Sequence, residues 1–170
     1  PQEHWMPRSA ALAAVSVVPA GWIYRPTGRR KGACGAVPTV LVATGGGGTA
    51  ETARSLYAEI DAVLSLARHR GPAFDVVQAL GPRAQTFGQL AQADRKVDPG
   101  AALNDLFLEA DIVISTAGYN SVLELATTDT PTLLVPIPRS IDDQTTRARS
   151  WAQKLGMWLD PASPEGAARW

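Results

Sequence analysis

The chain has a single cysteine, Cys34, so no internal disulfide is available and nothing in its thiol content points to an oxidising compartment. Histidine is almost as scarce. His4 and His69 are the only two, and neither lies near a loop that looks functional. No Ser/His/Asp or Cys/His arrangement emerges, and His69 reads as a surface residue near a helix C-terminus. Lysine is thin as well, with three against 13 arginines. That bias suits bidentate phosphate contacts but equally follows from genome composition. Aromatics amount to 6%. No apolar run nears the ~20 residues of a spanning helix, and the stretch 10–15 lacks the basic lead-in of a signal peptide. A cytoplasmic location is expected. Net charge is absent too: 16 basic and 16 acidic residues cancel, which argues against a dedicated nucleic-acid surface. What is present is 45% hydrophobic residues in a chain of 170, enough for one ordinary domain with a real core.

From residue 38 onward, apolar runs of strand length alternate with helical periodicity. Residues 40–44 read as a buried strand. Residues 49–70 place Ala53, Leu56, Tyr57, Ile60, Val63, Leu64 and Ala67 on one helical stripe, and Gly71-Pro72 ends it. A second strand is expected over 74–80, closed by Gly81-Pro82, and a brief third near 95–97. Asp98-Pro99 is expected to open a helix with Leu103, Leu106, Phe107 and Ala110 inward. Strand 111–115, helix 121–127, strand 132–136, helix 142–155 and a last strand at 157–159 follow. The helix over 142–155 turns Ala148, Trp151, Ala152 and Leu155 inward, with Trp151 read as core. The pattern predicts an α/β fold: a doubly wound, Rossmann-like parallel sheet with right-handed crossovers. Three regions are expected: a linker with a remnant of a preceding domain over 1–37, a nucleotide-binding domain over 38–160, and a cut-short segment over 161–170.

Two loops stand out. Gly45-Gly46-Gly47-Gly48-Thr49 follows the first strand, and Gly118-Tyr119-Asn120-Ser121 follows the fourth. A strand feeding a tight turn into a helix aims backbone N–H groups at one point, which suits a phosphate. In the commonest doubly wound order the first and fourth strands are neighbours at the switch point, so both loops would flank one crevice. The first loop also contains Gly45-x-Gly47-x-x-Ala50, a loose dinucleotide fingerprint. The acid that fingerprint needs at the end of the second strand is missing, since Asp75 stands at the wrong end. A nicotinamide cofactor is therefore disfavoured. Two readings of Glu124 stay open at this level: Ser121-x-x-Glu124 fits a capping box, or the carboxylate meets a ligand. Asp142 is a candidate N-cap for the last helix.

Taken together, Ala117-Gly118, Ser121, Glu124, Pro131, Val135-Pro136 and Asp142-Asp143-Gln144 resemble the C-terminal half of GT-B glycosyltransferases of family 28. The run Gly45 to Gly48 falls where that family carries its glycine loop, and Trp22-Ile23-Tyr24-Arg25-Pro26 is similar to its interdomain crossover. The family's best-known member moves N-acetylglucosamine from UDP onto a lipid-linked muramyl peptide. Two departures are visible: Thr128-Asp129-Thr130-Pro131 stands where the family has a Gly-x-Pro turn, and Thr145 replaces the second residue of a Gln-Gln pair.

The resemblance implies one half of a GT-B fold that binds a nucleotide-sugar, with a bias toward UDP, for an inverting transferase that needs no metal and no cofactor. Gly45, Gly46, Gly47, Gly48 and Thr49 would touch phosphate or sugar. Gly118, Tyr119, Asn120 and Ser121 would cradle the pyrophosphate, and Glu124 would hold the ribose hydroxyls. Val97 would offer its backbone to the base, and Asp143 and Gln144 would face the sugar. Catalytic residues are not expected in this chain, because the family's general base comes from the N-terminal domain. That missing domain is the expected partner; through it the protein can be peripheral to a membrane, and the acceptor is open, a lipid-linked one included. The isolated chain is expected to bind nucleotide with little turnover. The alternatives are a GT-B nucleotide-sugar epimerase or hydrolase, and a non-catalytic donor-binding subunit.

Overall fold

A computed structural model describes residues 23–29, 35–45, 49–81, 89–139 and 142–158. The expectations for 1–22, for Gly46, Gly47 and Gly48 and for 159–170 lie outside these residues. Six strands form one parallel sheet: β1 (Thr39–Ala43), β2 (Asp75–Ala79), β3 (Arg95–Val97), β4 (Ile112–Thr116), β5 (Thr132–Val135) and β6 (Gly156–Trp158). Their order is β3-β2-β1-β4-β5-β6, the doubly wound arrangement that the alternation predicts. Four helices are described: α1 (Ala50–Arg70), α2 (Leu103–Glu109), α3 (Tyr119–Leu125) and α4 (Gln144–Leu155).

The central strands are apolar on both faces because helices cover both. Val40 and Val42 point to the α1 side, into a cluster with Leu56, Ile60, Val63 and Leu64. Leu41 and Ala43 point the other way, toward Phe107 of α2, Val122 and Leu125 of α3, and Ala148 and Leu155 of α4. Each fully buried Leu, Ile or Phe contributes roughly 1.5–3 kcal/mol. Helix α1 is defined at both ends. Thr49 caps it by accepting from the Thr52 N–H at 3.2 Å, and its last turn carries Arg68, His69 and Arg70 against the negative end of the dipole. Trp151 is partly buried, with Lys154 over its ring at 5.4 Å, so it borders the core rather than filling it.

The chain differs from its periodicity in three places. The helix expected from Asp98-Pro99 begins only at Leu103. The Asp98 carboxylate accepts from the Gly100 N–H at 3.0 Å, which captures the chain in a turn that Gly100, at φ +49°, completes. Helix α3 starts at Tyr119 with Gly118 as N-cap, two residues before the expected start. The last helix is capped by Asp143, not Asp142. The family departure in the turn 128–131 falls on Asp129, the position that the Gly-x-Pro pattern gives to glycine. Asp129 keeps the left-handed conformation, φ +57°, that glycine adopts most readily and that aspartate tolerates better than most residues. Thr130 donates its hydroxyl to the Phe107 carbonyl at 2.9 Å.

At the amino edge of the sheet, an apolar hollow of about 450 Å³ is lined by Val63, Leu64, Phe74, Ile112, Ile114 and Leu133. It lies at the opposite end from both glycine loops. Among the described residues no helix is long and apolar enough to cross a membrane.

Phe107 is fully buried between α2 and the sheet. Phe107→Ala is expected to lower the unfolding free energy by about 3–5 kcal/mol. Urea denaturation checks this; a loss below about 1 kcal/mol would show that the contact is not a packed one.

Candidate nucleotide-binding site

Parallel pairing sends β1 and β4 out of the sheet at the same edge, with Val42 opposite Ile114 and Ala43 opposite Ser115. Two hydroxyls latch the strand ends together: Ser115 donates to the Ala43 carbonyl at 3.0 Å and Thr116 to the Thr44 carbonyl at 3.4 Å. Beyond that point the chain diverges. After β1 it turns to α1 on one face, and after β4 to α3 on the other. Gly45 and Gly118 stand at these two exits, where the doubly wound order opens a crevice.

The two glycines differ in kind. Gly45 has φ +60°, a conformation that side chains rarely adopt. Gly118 is ordinary extended backbone, φ −66° and ψ 153°. A Cβ there would meet only the Ser121 and Thr116 hydroxyls, at 3.8 and 3.9 Å. Neither strain nor packing asks for glycine at 118, so its effect is to leave space at the turn. Gly81, which sequence reasoning took only as a strand terminator, lies against the first loop. A Cβ on it would stand 2.6 Å from the Gly45 carbonyl oxygen.

Helix α3 makes its first intrahelical bond from the Val122 N–H to the Gly118 carbonyl, at 3.1 Å. The N–H groups of 118–121 thus precede the internal ladder, at the end facing the crevice. Ser121 lies inside the helix, which rules out the capping box with Glu124. Glu124 is half-buried in the last turn, and among the described residues nothing hydrogen-bonds its carboxylate. Burial pushes its pKa above the ordinary value, and the positive charge of Arg25 offsets part of that rise.

Arg25 belongs to residues 23–29, which run alongside α3 without regular structure. The Ile23 N–H donates to the Tyr119 hydroxyl at 3.4 Å, the Thr27 N–H to the Thr127 hydroxyl at 3.1 Å, and Arg29 pairs with Asp129 at 3.2 Å.

The remaining expected residues are distributed along the same edge. Thr49 uses its hydroxyl as the α1 cap. Val97 ends β3, where its carbonyl accepts from the Leu80 N–H at 2.7 Å. Asp143 is exposed and spends both oxygens on Thr146, accepting from its N–H at 2.9 Å and its hydroxyl at 2.7 Å. Gln144 is buried. It accepts from the Ile137 N–H and donates to Asp142, both at 3.3 Å. Arg139 is exposed. Sequence reasoning missed Arg147, which is 1% exposed, donates to the Ala117 carbonyl at 2.9 Å and pairs with Asp142. Helical spacing was the available signal, because 147 shares a face with Ala148, Trp151 and Leu155. Among the described residues, no cluster of His, Cys, Asp and Glu could hold a metal ion.

The model of the glycosyltransferase family 28 C-terminal domain matches residues 39–161. A UDP-N-acetylglucosamine–N-acetylmuramyl-(pentapeptide) pyrophosphoryl-undecaprenol N-acetylglucosamine transferase of Bordetella pertussis is 36% identical over 87 residues, 47% of this chain and 24% of that protein. The transferase of the same name from Granulibacter bethesdensis is 44% identical over 55 residues, 32% of this chain and 14% of that protein. The chain thus spans about a quarter or less of the length of these relatives. The crystal structure of Acinetobacter baumannii MurG matches with a TM-score of 0.54 at 18% identity, covering 78% of this chain and 40% of that one. This likeness concerns the fold.

Two outcomes are expected. Gly81→Ala should displace the Gly45 loop and cost about 1–3 kcal/mol, as overpacking does. Unchanged stability together with an unmoved Gly45 amide resonance would show the approach is not tight. Glu124→Gln should raise stability at neutral pH. A carboxyl with an elevated folded pKa is at no disadvantage below its unfolded value of about 4.3 and loses stability as pH rises through the folded value. The gain from Gln should therefore vanish in acid, and a gain independent of pH would refute the cause given.

Proposed function

Because the chain belongs to the glycosyltransferase family 28 C-terminal domain family, we propose that it is the nucleotide-sugar-binding half of an inverting, metal-independent glycosyltransferase. The observation that carries this reading is the parallel pairing of β1 with β4, which sends the Gly45 and Gly118 turns out of one sheet edge, with a half-buried Glu124 in the helix that follows Gly118. In this reading the donor is a UDP-sugar and no further cofactor is needed. Residues 118–121 and the loop from Gly45 to Thr49 face the diphosphate, Glu124 grips the ribose hydroxyls, and Val97 meets the base. Asp143 and Gln144 border the sugar.

A diphosphate leaving group gains charge as the glycosidic bond breaks. Backbone N–H groups fixed before the reaction stabilise that charge without reorganising. The chain's share of catalysis is thus donor positioning and leaving-group stabilisation. The acceptor site and general base belong to a further domain, the partner of this one in a complete transferase. Transferases of the names matched above act on an undecaprenyl-linked acceptor, and a lipid-linked acceptor at a membrane surface fits this chain too. The neutral charge and the site chemistry give nucleic acid no role.

Calorimetric titration with UDP, dTDP, GDP and NAD tests the reading. UDP should bind best. Glu124→Ala should weaken UDP by about 1–3 kcal/mol, the cost of leaving buried polar groups unpaired. Unchanged affinity in the variant would remove Glu124 from the site, and tighter binding of NAD would overturn the donor assignment.

A further inference from the structure

We propose that Arg147 is a positioning residue of the donor crevice, a buried guanidinium that fixes the Ala117–Gly118 peptide and ties it to the segment after β5. The inference rests on the donor-binding reading above and adds a residue that reading does not use.

Arg147 stands in the first turn of α4, yet its side chain reaches back to the turn after β4. One terminal nitrogen donates to the Ala117 carbonyl at 2.9 Å. The other pairs with one oxygen of Asp142. The second oxygen of Asp142 accepts from Gln144, and Gln144 accepts from the Ile137 N–H. A continuous set of contacts therefore runs from the backbone after β5 to the backbone after β4.

The consequence follows from peptide geometry. In a planar trans peptide the C=O and the next N–H point in opposite directions. Holding the Ala117 carbonyl toward the interior sets the Gly118 N–H to the other side. A charged donor on the carbonyl also polarises the peptide, which makes that N–H a better donor to an anion.

Stability alone does not account for this residue. A buried ion pair is commonly no better for stability than apolar residues of similar volume, and Ala148 and Leu155 show that this helix face accepts apolar side chains. Position 147 needs two divergent donors at once, which the guanidinium fork supplies and a lysine ammonium, a single point charge, does not.

The test compares UDP with uridine, which lacks the diphosphate, by NMR titration of the wild-type chain and of Arg147→Met, Arg147→Lys and Asp142→Asn. Arg147→Met should weaken UDP by about tenfold or more, the scale of one charge-assisted contact, leave uridine within about twofold, and shift the Gly118 amide resonance before any ligand is added. Arg147→Lys and Asp142→Asn should lower the UDP-to-uridine preference in the same direction. Equal losses for both ligands, or a lower melting temperature with the preference intact, would assign Arg147 a purely structural role and overturn the inference. Should Arg147→Met fail to fold, the preference in the other two variants decides: an unchanged preference in both overturns it. A wild-type chain that does not bind UDP overturns the donor-binding reading, and the inference with it; a wild type that binds UDP beside indifferent variants overturns the inference alone.

Discussion

The parallel pairing of β1 with β4 is the constraint on which the rest depends. Residues 40–43 meet 112–115 in register, and the alternation of those side chains divides the interior into two clusters, one on each face. A slip of one residue would turn every apolar side chain to the other face. With the register fixed, the two chain exits are neighbours, and the hydroxyls of Ser115 and Thr116 hold them so. The crossovers then leave for opposite faces. An opening at this point is a geometric result of the winding, before any ligand is considered.

Around that opening, apolar packing gives way to small polar side chains. Thr44, Ser115 and Thr116 are buried there, and Thr128, Thr130 and Thr132 are buried at the opposite, amino edge, where the chain enters β5. Their hydroxyls go mostly to nearby carbonyls: Thr128 to Leu125 at 2.8 Å, Thr132 to Thr130 at 2.9 Å, and Thr130 to Phe107. A buried carbonyl left unsatisfied costs about 1–3 kcal/mol, so these short side chains let the backbone turn sharply inside the protein. Pre-set dipoles need such support if they are to act on a charge without moving.

The sheet and its order were legible because the signals are local. Four apolar runs and one long amphipathic stripe have few other ways to bury themselves, and the short third and last strands follow once a parallel sheet is assumed. The two crevice turns were legible for the same reason, since each directly follows a strand. What escaped depends on partners distant in sequence or on local competition. Asp98 drew a backbone N–H to itself and delayed α2. Asp143 rather than Asp142 caps the last helix, while Asp142 pairs with Arg147, five residues on. Gly81 looked like a terminator, while its importance comes from the Gly45 carbonyl 36 positions earlier and 2.6 Å from where a Cβ would stand. Glu124 carried two readings until the start of α3 at Tyr119 removed one.

The strand of chain over 23–29 has a mechanical meaning. It touches α3 near both ends, through Tyr119 and through Thr127, and is anchored again at Asp129. These contacts join residues 23–29 to the seven-residue helix that carries Tyr119, Asn120, Ser121 and Glu124. Exposed contacts of this kind are worth little singly, so the segment lies along the helix as a light tether whose grip salt would loosen at the Arg29–Asp129 pair first.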